Sequence, residues 1–271
     1  MKKSYIDAMK SRRSVRTFGR REMSHMAEGQ LRDYIRYVEH PFDAHVRFEL
    51  VATDNNSAGR HLGTYGIIQN ARHYIVGVTD RSAFAMETLG YTFEKVILKA
   101  TMLGLATCWL GGTFNKGAFA DAVMLGSDEV LPAVSPVGIK SSRPSVVART
   151  MELATHQKRR KPFGTLFFDQ NWQTPLTVKR AGRLAVPLEM VRIAPSSRNC
   201  QPWRVLVDEK GIHFYQNGSK EMNRIDMGIA LCHFELACRE KKLKGSFEYR
   251  KVHPEEGKGM RYTLSWIPET T

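Results

Sequence analysis

The sequence has few cysteines and nothing to pair them. Cys108, Cys200, Cys232 and Cys238 form no CxxC unit, and none has a histidine at zinc spacing. Cys232 and His233 are adjacent, which suits neither a tetrahedral metal site nor a shared helix face. Buried thiols in an apolar helix are the plainer reading of Cys232 and Cys238. Glycine (21) and proline (11) are too sparse for a collagen-like or low-complexity chain. No window reaches the roughly 18 uninterrupted apolar residues of a membrane span. The basic N-terminus, MKKSYIDAMKSRRS, has no apolar run behind it, so a secretory signal is not expected. With neither a signal nor a disulfide pattern, the expected compartment is the reducing cytoplasm.

What remains is a chain of ordinary globular composition. Of 271 residues, 42% are hydrophobic and 25% charged, and the mean hydropathy is -0.37. That length buries one large core or two average ones. Charge is the unusual feature: 41 Lys and Arg against 27 Asp and Glu give +14. Such a surplus attracts nucleic acid, anionic membrane or phosphate-bearing cofactors. Composition does not choose among them.

The pattern along the chain is mixed. Residues 4–11 read as a short helix, and Ser24 is a candidate N-cap for a second. Leu31, Tyr34, Ile35 and Val38 form its apolar stripe. Val46, Phe48, Leu50 and Ala52 alternate with polar residues as in a half-buried strand. The loop Gly63-Thr64-Tyr65-Gly66 precedes a second strand at 74–78. A long central helix is expected over 91–110, with Ala100 and Gly104 on one small-residue face. A helix near 116–125 and a strand at 131–138 follow. Residues 169–186 lack a period and read as a connector between a first half (1–168) and a shorter second half (187–271). The second half reads as a helix at 187–193, a polar loop, strands at 203–207 and 212–215, a long helix at 225–242, and strands at 247–252 and 262–267. The two halves echo one another with little identity, so a degenerate duplication is suspected. There is no regular βαβ alternation, and the class is α+β.

Two segments carry most of the chemistry. In Arg12-Arg13-Ser14-Val15-Arg16, three guanidiniums and a hydroxyl can clamp a phosphate through charge-assisted hydrogen bonds. Alone, such a cluster is more often a solvated basic terminus. In Ala194-Pro195-Ser196-Ser197-Arg198-Asn199-Cys200-Gln201-Pro202-Trp203, polar side chains sit between prolines that stiffen the backbone. Amides with both donors and acceptors suit the edge of a pyrimidine-like ring. Gly111 and Gly112 are either a helix C-cap or a close approach to a flat ligand. Thr64 has the same two readings. Lys158 and Arg160 are surface charge or a second arm of a phosphate clamp.

Together these segments resemble the FMN-dependent nitroreductase family. SRRSVRTF is similar to its RRSxR element, and APSSRNCQPWRV to its PSSxNxQPW loop. GLATCWLGG, LPAVSPVGIK and KRRKPF also resemble family segments. RRSxR alone is a weak signal; PSSxNxQPW is a strong one. The departure is one of position. Ordinary members carry both elements early in one chain and form an intertwined dimer whose FMN touches both subunits. Here the elements lie in opposite halves, His40-Pro41-Phe42-Asp43 stands where a first PSS loop would be, and no RRSxR precedes Ala194. The resemblance therefore implies a nitroreductase-like fold in an internally duplicated, single-chain pseudo-dimer with one complete flavin site.

Residue by residue, it implies that Arg12, Arg13, Ser14 and Arg16 hold the phosphate and ribityl chain, with Arg16 also toward the N1–C2 edge. Lys158 and Arg160 complete the phosphate clamp. Pro195, Ser196, Ser197 and Asn199 contact the ring, Gly111 and Gly112 lie near N5 and O4, and Thr64 faces the pyrimidine side. No catalytic side chain is named, because the flavin carries the redox chemistry. The expected activity is ping-pong: NAD(P)H reduces FMN, which then reduces a small nitroaromatic or quinone. The expected working form is a monomer, with a homodimer as alternative; no membrane association is expected. A flavin-binding protein without turnover is the second reading, and turnover of NAD(P)H separates the two. A basic nucleic-acid-binding protein is the third; the dispersed charge and the absence of a recognised motif weigh against it.

Overall fold

The computed structural model describes residues 4–53, 62–143, 145, 146, 148, 150, 151 and 159–269. Its order begins with two capped helices. The Ser4 hydroxyl accepts from the Asp7 amide to start α1 (Tyr5–Ser11), and Ser24 does the same for the Ala27 amide in α2 (His25–Tyr37). A hairpin follows, β1 (Val46–Ala52) and β2 (His73–Thr79), then the long helix α3 (Ala85–Met102). After it come β3 (Ala106–Thr107), α4 (Lys116–Ala122) and β4 (Val130–Gly138). Next are α5 (Phe163–Leu166), β5 (Phe167–Asp169), α6 (Val178–Ala181) and α7 (Ala185–Ile193). The chain closes with β6 (Trp203–Asp208), β7 (Gly211–Asn217), α8 (Met222–Glu240), β8 (Gly245–Glu248) and β9 (Met260–Pro268). The class is α+β, as expected. Among the described residues no helix is long and apolar enough to cross a membrane.

Two sheets result, ordered β1-β2-β4-β3 and β5-β6-β7-β9-β8. Apart from β5, the second order repeats the first: a hairpin, a long helix, a short outer strand, and a last strand inserted between that strand and the hairpin. All these pairings are antiparallel. β5 is the exception. It comes before the helix that opens the second half, yet pairs in parallel with β6.

Between the sheets, α3 and α8 are buried nearly all round and pack on each other. Two glycines set the crossing. A Cβ on Gly90 would strike the carbonyl of Ile225, three residues before Gly228, and a Cβ on Gly228 would strike the carbonyl of Glu87, three residues before Gly90. The contact is reciprocal. One continuous apolar core surrounds it, drawing on both halves from Ile6 to Trp266.

The expected helix over 91–110 is corrected by this structure. Helix α3 starts earlier and ends at Met102, because Gly104 takes φ +80°. The Leu105 amide donates to Ala100 O and the Gly104 amide to Thr101 O, a Schellman stop. Gly104 is thus a terminator, not a member of the packing face. Helix α8 ends the same way: Lys242 has φ +56°, and the Leu243 amide donates to Cys238 O. The unpatterned stretch 169–186 holds a short helix, α6, capped by Thr177, and a single 3-10 turn at Gly182–Leu184.

At Gly228 two effects oppose each other. Helix propensity favours Ala over Gly by about 1 kcal/mol, whereas a methyl pressed into a facing backbone costs at least as much as core overpacking, about 1–3 kcal/mol. Gly228→Ala is expected to lower the urea midpoint clearly. An unchanged or raised midpoint would show that the helices part without cost.

Candidate functional site

Backbone hydrogen bonds stitch the first-half segments together. The Val15 amide donates to Thr107 O at 2.9 Å, laying the arginine-rich segment beside β3. The Gln69 amide donates to Arg16 O, and the Phe18 amide to Gln69 O, each at 2.9 Å. The Asn115 amide donates to Gly63 O at 2.9 Å. Arg12–Arg16, the Gly63–Gly66 loop and the segment holding Gly111 and Gly112 are therefore neighbours. Thr64 is buried, and its hydroxyl accepts from the Ile68 amide at 3.3 Å, closing its own turn.

The second-half loop is tightly wound. Arg198, Asn199 and Gln201 all have positive φ, at 49°, 58° and 49°. Each such non-glycine residue costs on the order of 1 kcal/mol, so other contacts must hold the loop. The Gln201 amide donates to Ser196 Oγ at 2.9 Å, and Gln201 Nε2 to Asn199 O at 3.0 Å. The Ser197 amide donates to both oxygens of Asp226, at 2.9 and 3.2 Å. Pro195 leads into the loop directly after α7.

Arg160 joins the two sides. Its guanidinium donates to Asn199 Oδ1 and, at 2.9 Å, to Ile193 O at the end of α7. Asn199 Nδ2 in turn donates to Arg159 O at 2.7 Å. The Arg160 pKa is lowered to about 10, first by burial and then by the charges of Arg12, Arg192 and Arg13. Arg160 thus contacts the loop through Asn199 and feels the charges of Arg12 and Arg13. Met222, at the start of α8, occupies the space a Cβ on Gly111 would need, whereas a Cβ on Gly112 would meet only open space. Lys158 lies outside the described residues.

Behind this cluster lies a network that sequence reasoning missed. Glu94 of α3 is fully buried. It accepts from Trp109 Nε1 at 2.7 Å and faces His233 Nε2 at 2.9 Å and Arg12 Nε at 3.9 Å. His233 Nδ1 faces Met190 O at 2.9 Å; a carbonyl only accepts, so that nitrogen carries a proton. Glu94 thereby ties both central helices to Arg12 and to the segment leading into Gly111. Arg12 itself is 8% exposed, and among the described residues its Nε and Nη1 have no hydrogen-bond partner. Burial lowers its pKa, with Glu94 opposing. Asp226 was missed too. The signal in sequence is weak: Glu94, His233 and Asp226 lie on helices that carry other charged residues, and only the fold shows which of them are buried.

A family model described as "Putative TM nitroreductase" matches residues 4–238. The chain belongs to this family. Membership carries a general oxidoreductase character. The fold agrees with that of a putative nitroreductase from Thermotoga maritima, at 18% identity and a TM-score of 0.65, covering 98% of this chain and 94% of that one. A nitroreductase family protein from Clostridium difficile aligns at 18% identity and a TM-score of 0.45, over 60% of this chain and 96% of its own. A nitroreductase with bound FMN from Bacteroides fragilis aligns at 16% identity and a TM-score of 0.41, over 53% and 92%. No curated protein matches the chain.

Burial pushes the Asp226 carboxyl up to about 7, with the Ser197 amide partly opposing. A carboxyl raised above its unfolded value makes the folded state bind the extra proton, so its contribution is full below about pH 4 and is lost as pH rises through about 7. The loss over that window is on the order of 4 kcal/mol at most. Asp226→Asn still offers an oxygen to the Ser197 amide. It is expected to flatten the pH dependence of the thermal midpoint between pH 4 and 8 and to raise the midpoint at pH 8. Parallel curves for the two proteins would contradict this.

Proposed function

We propose that this chain is an FMN-dependent NAD(P)H oxidoreductase that reduces small nitroaromatics or quinones, with one flavin site built from both halves of an internally duplicated, monomeric chain. The observation that carries the reading is Arg12: a buried guanidinium with unsatisfied N–H groups, beside Arg13 and Arg160. Glu94, the carboxylate facing Arg12 at 3.9 Å, is also engaged by His233 and Trp109. Like charges held together are costly, and a dianionic phosphate offsets that cost.

The residues fit FMN in kind. Arg12, Arg13 and Arg160 would hold the phosphate, with Ser14, Arg16 and Lys158 completing the clamp. Pro195, Ser196, Ser197 and Asn199 would meet the ring with groups already fixed in place. Gly112 leaves backbone free for a flat ligand, and Thr64 stands on the pyrimidine side. When bound, FMN supplies two-electron chemistry between a nicotinamide donor and the acceptor. The chain would bind and orient the cofactor, and Arg16 would bring positive charge toward the N1–C2 edge.

Positional correspondence supports duplication and a single site. Gly90 and Gly228 lie 138 positions apart, as do the helix stops Gly104 and Lys242. At the same offset Met222 corresponds to Phe84, and Gly111 to Tyr249. Phe84 and Tyr249 stack edge-on at 5.7 Å, and Phe42 lies 6.5 Å from Phe84 and 6.0 Å from Phe247. Aromatic rings thus fill the counterpart of the space beside Gly111 and Gly112.

The purified chain is expected to be yellow, to hold one FMN per polypeptide, and to oxidise NADH or NADPH with menadione or nitrofurazone. A colourless protein that gains neither flavin absorbance nor thermal protection from added FMN overturns the proposal. Bound flavin without turnover leaves the second reading, a flavin-binding protein. Arg160→Met is expected to weaken FMN binding about 10- to 100-fold, read by flavin fluorescence quenching. An unchanged affinity would remove Arg160 from the clamp.

A further inference from the structure

Away from the arginine cluster, a cleft of about 400 Å³ opens among α1, the end of α2, α3 and the end of α8. That volume is within the range of small-molecule sites. Its lining includes Tyr5, Tyr34, Tyr37, Lys95, Arg239 and Glu240, none of them part of the flavin-site reading. Lys95 is the unusual member. It is 8% exposed, and its Nζ donates to Glu39 O at 2.5 Å and lies 5.6 Å from the centre of the Tyr91 ring. An ammonium has three donors; one is used here. Among the described residues it forms no ion pair with a carboxylate.

Most of the other charges around the cleft are committed elsewhere; the exposed carboxylate of Glu39 also lines it. Glu240 accepts from the Tyr5 and Ile6 amides at the start of α1. Arg239 pairs with Glu235 at 2.6 Å, and Glu235 also accepts from Tyr91. Lys99 lies over the Tyr34 ring at 5.6 Å. Glu39 presents its backbone oxygen to Lys95 and has an exposed side chain. Burying an ammonium with no carboxylate at ion-pair distance is unfavourable. Burial lowers the Lys95 pKa, with the more distant carboxylates of Glu235 and Glu39 partly opposing. A carboxylate placed at the two free N–H groups would offset the cost, and the tyrosine rings offer a flat apolar wall to whatever carries it.

We propose that this cleft is a second ligand site, independent of the flavin-site reading, which takes a small aromatic carboxylate with its anionic group on Lys95 and its ring among Tyr5, Tyr34 and Tyr37. The probe is benzoate, with benzamide as its neutral counterpart. Calorimetric titration of the full-length chain is expected to give saturable binding of one benzoate per chain, with benzamide at least tenfold weaker. Lys95→Met is expected to weaken benzoate at least tenfold, and Lys95→Arg to retain most of the affinity. In the native chain carrying ¹³C-labelled lysine, benzoate is expected to move the Lys95 Cε resonance, which decides the matter even if Lys95→Met fails to fold. Equal affinity for benzoate and benzamide, no saturation, undiminished binding by a folded Lys95→Met, or a Lys95 resonance that does not move would each overturn the proposal.

Discussion

The structure depends on two helices crossing where neither has a side chain. At Gly90 and Gly228 the backbones of α3 and α8 approach closely enough that a methyl on either would meet a carbonyl of the other. This closeness makes one core of two halves and fixes what surrounds it. Glu94 and His233, one on each helix, meet because of that spacing. Asp226, near the start of α8, comes under the loop that begins at Ser197 for the same reason.

Electrostatics then gives the region its character. Arg160 feels the charges of Arg12 and Arg13, and Arg13 and Arg160 are held in place by backbone carbonyls. Arg13 donates to backbone carbonyls of Lys10 and Arg12, and Arg160 to the carboxy-terminal end of α7. Helix ends of that polarity favour cations. The arrangement holds positive charge in place where it has little carboxylate to neutralise it.

Much of this was legible in the sequence. The arginine run and the proline-bracketed loop stand out by composition, and Arg160 donates to the loop at Asn199. The short helix read over 4–11 and the candidate cap at Ser24 located the starts of two helices to within a residue. The end of α3 was misread because Gly104 fits helical spacing as well as it fits a stop; only its φ distinguishes the two. Glu94, His233 and Asp226 were not legible as a group, since their partners lie on other elements, up to 139 residues away in the chain. Lys95 was hidden for the same reason: a lysine in an amphipathic pattern reads as solvated until the tertiary fold covers it.

β5 has a consequence for how such a chain could have arisen or could be divided. It follows the first sheet's strands in order but completes the edge of the second sheet beside β6. A break in the polypeptide just after Asp169 would leave the amino-terminal piece holding a ribbon whose hydrogen-bonding partners belong to the other piece, a strand donated across a cut. The two fragments would then be bound to each other by main-chain pairing as well as by the helix crossing.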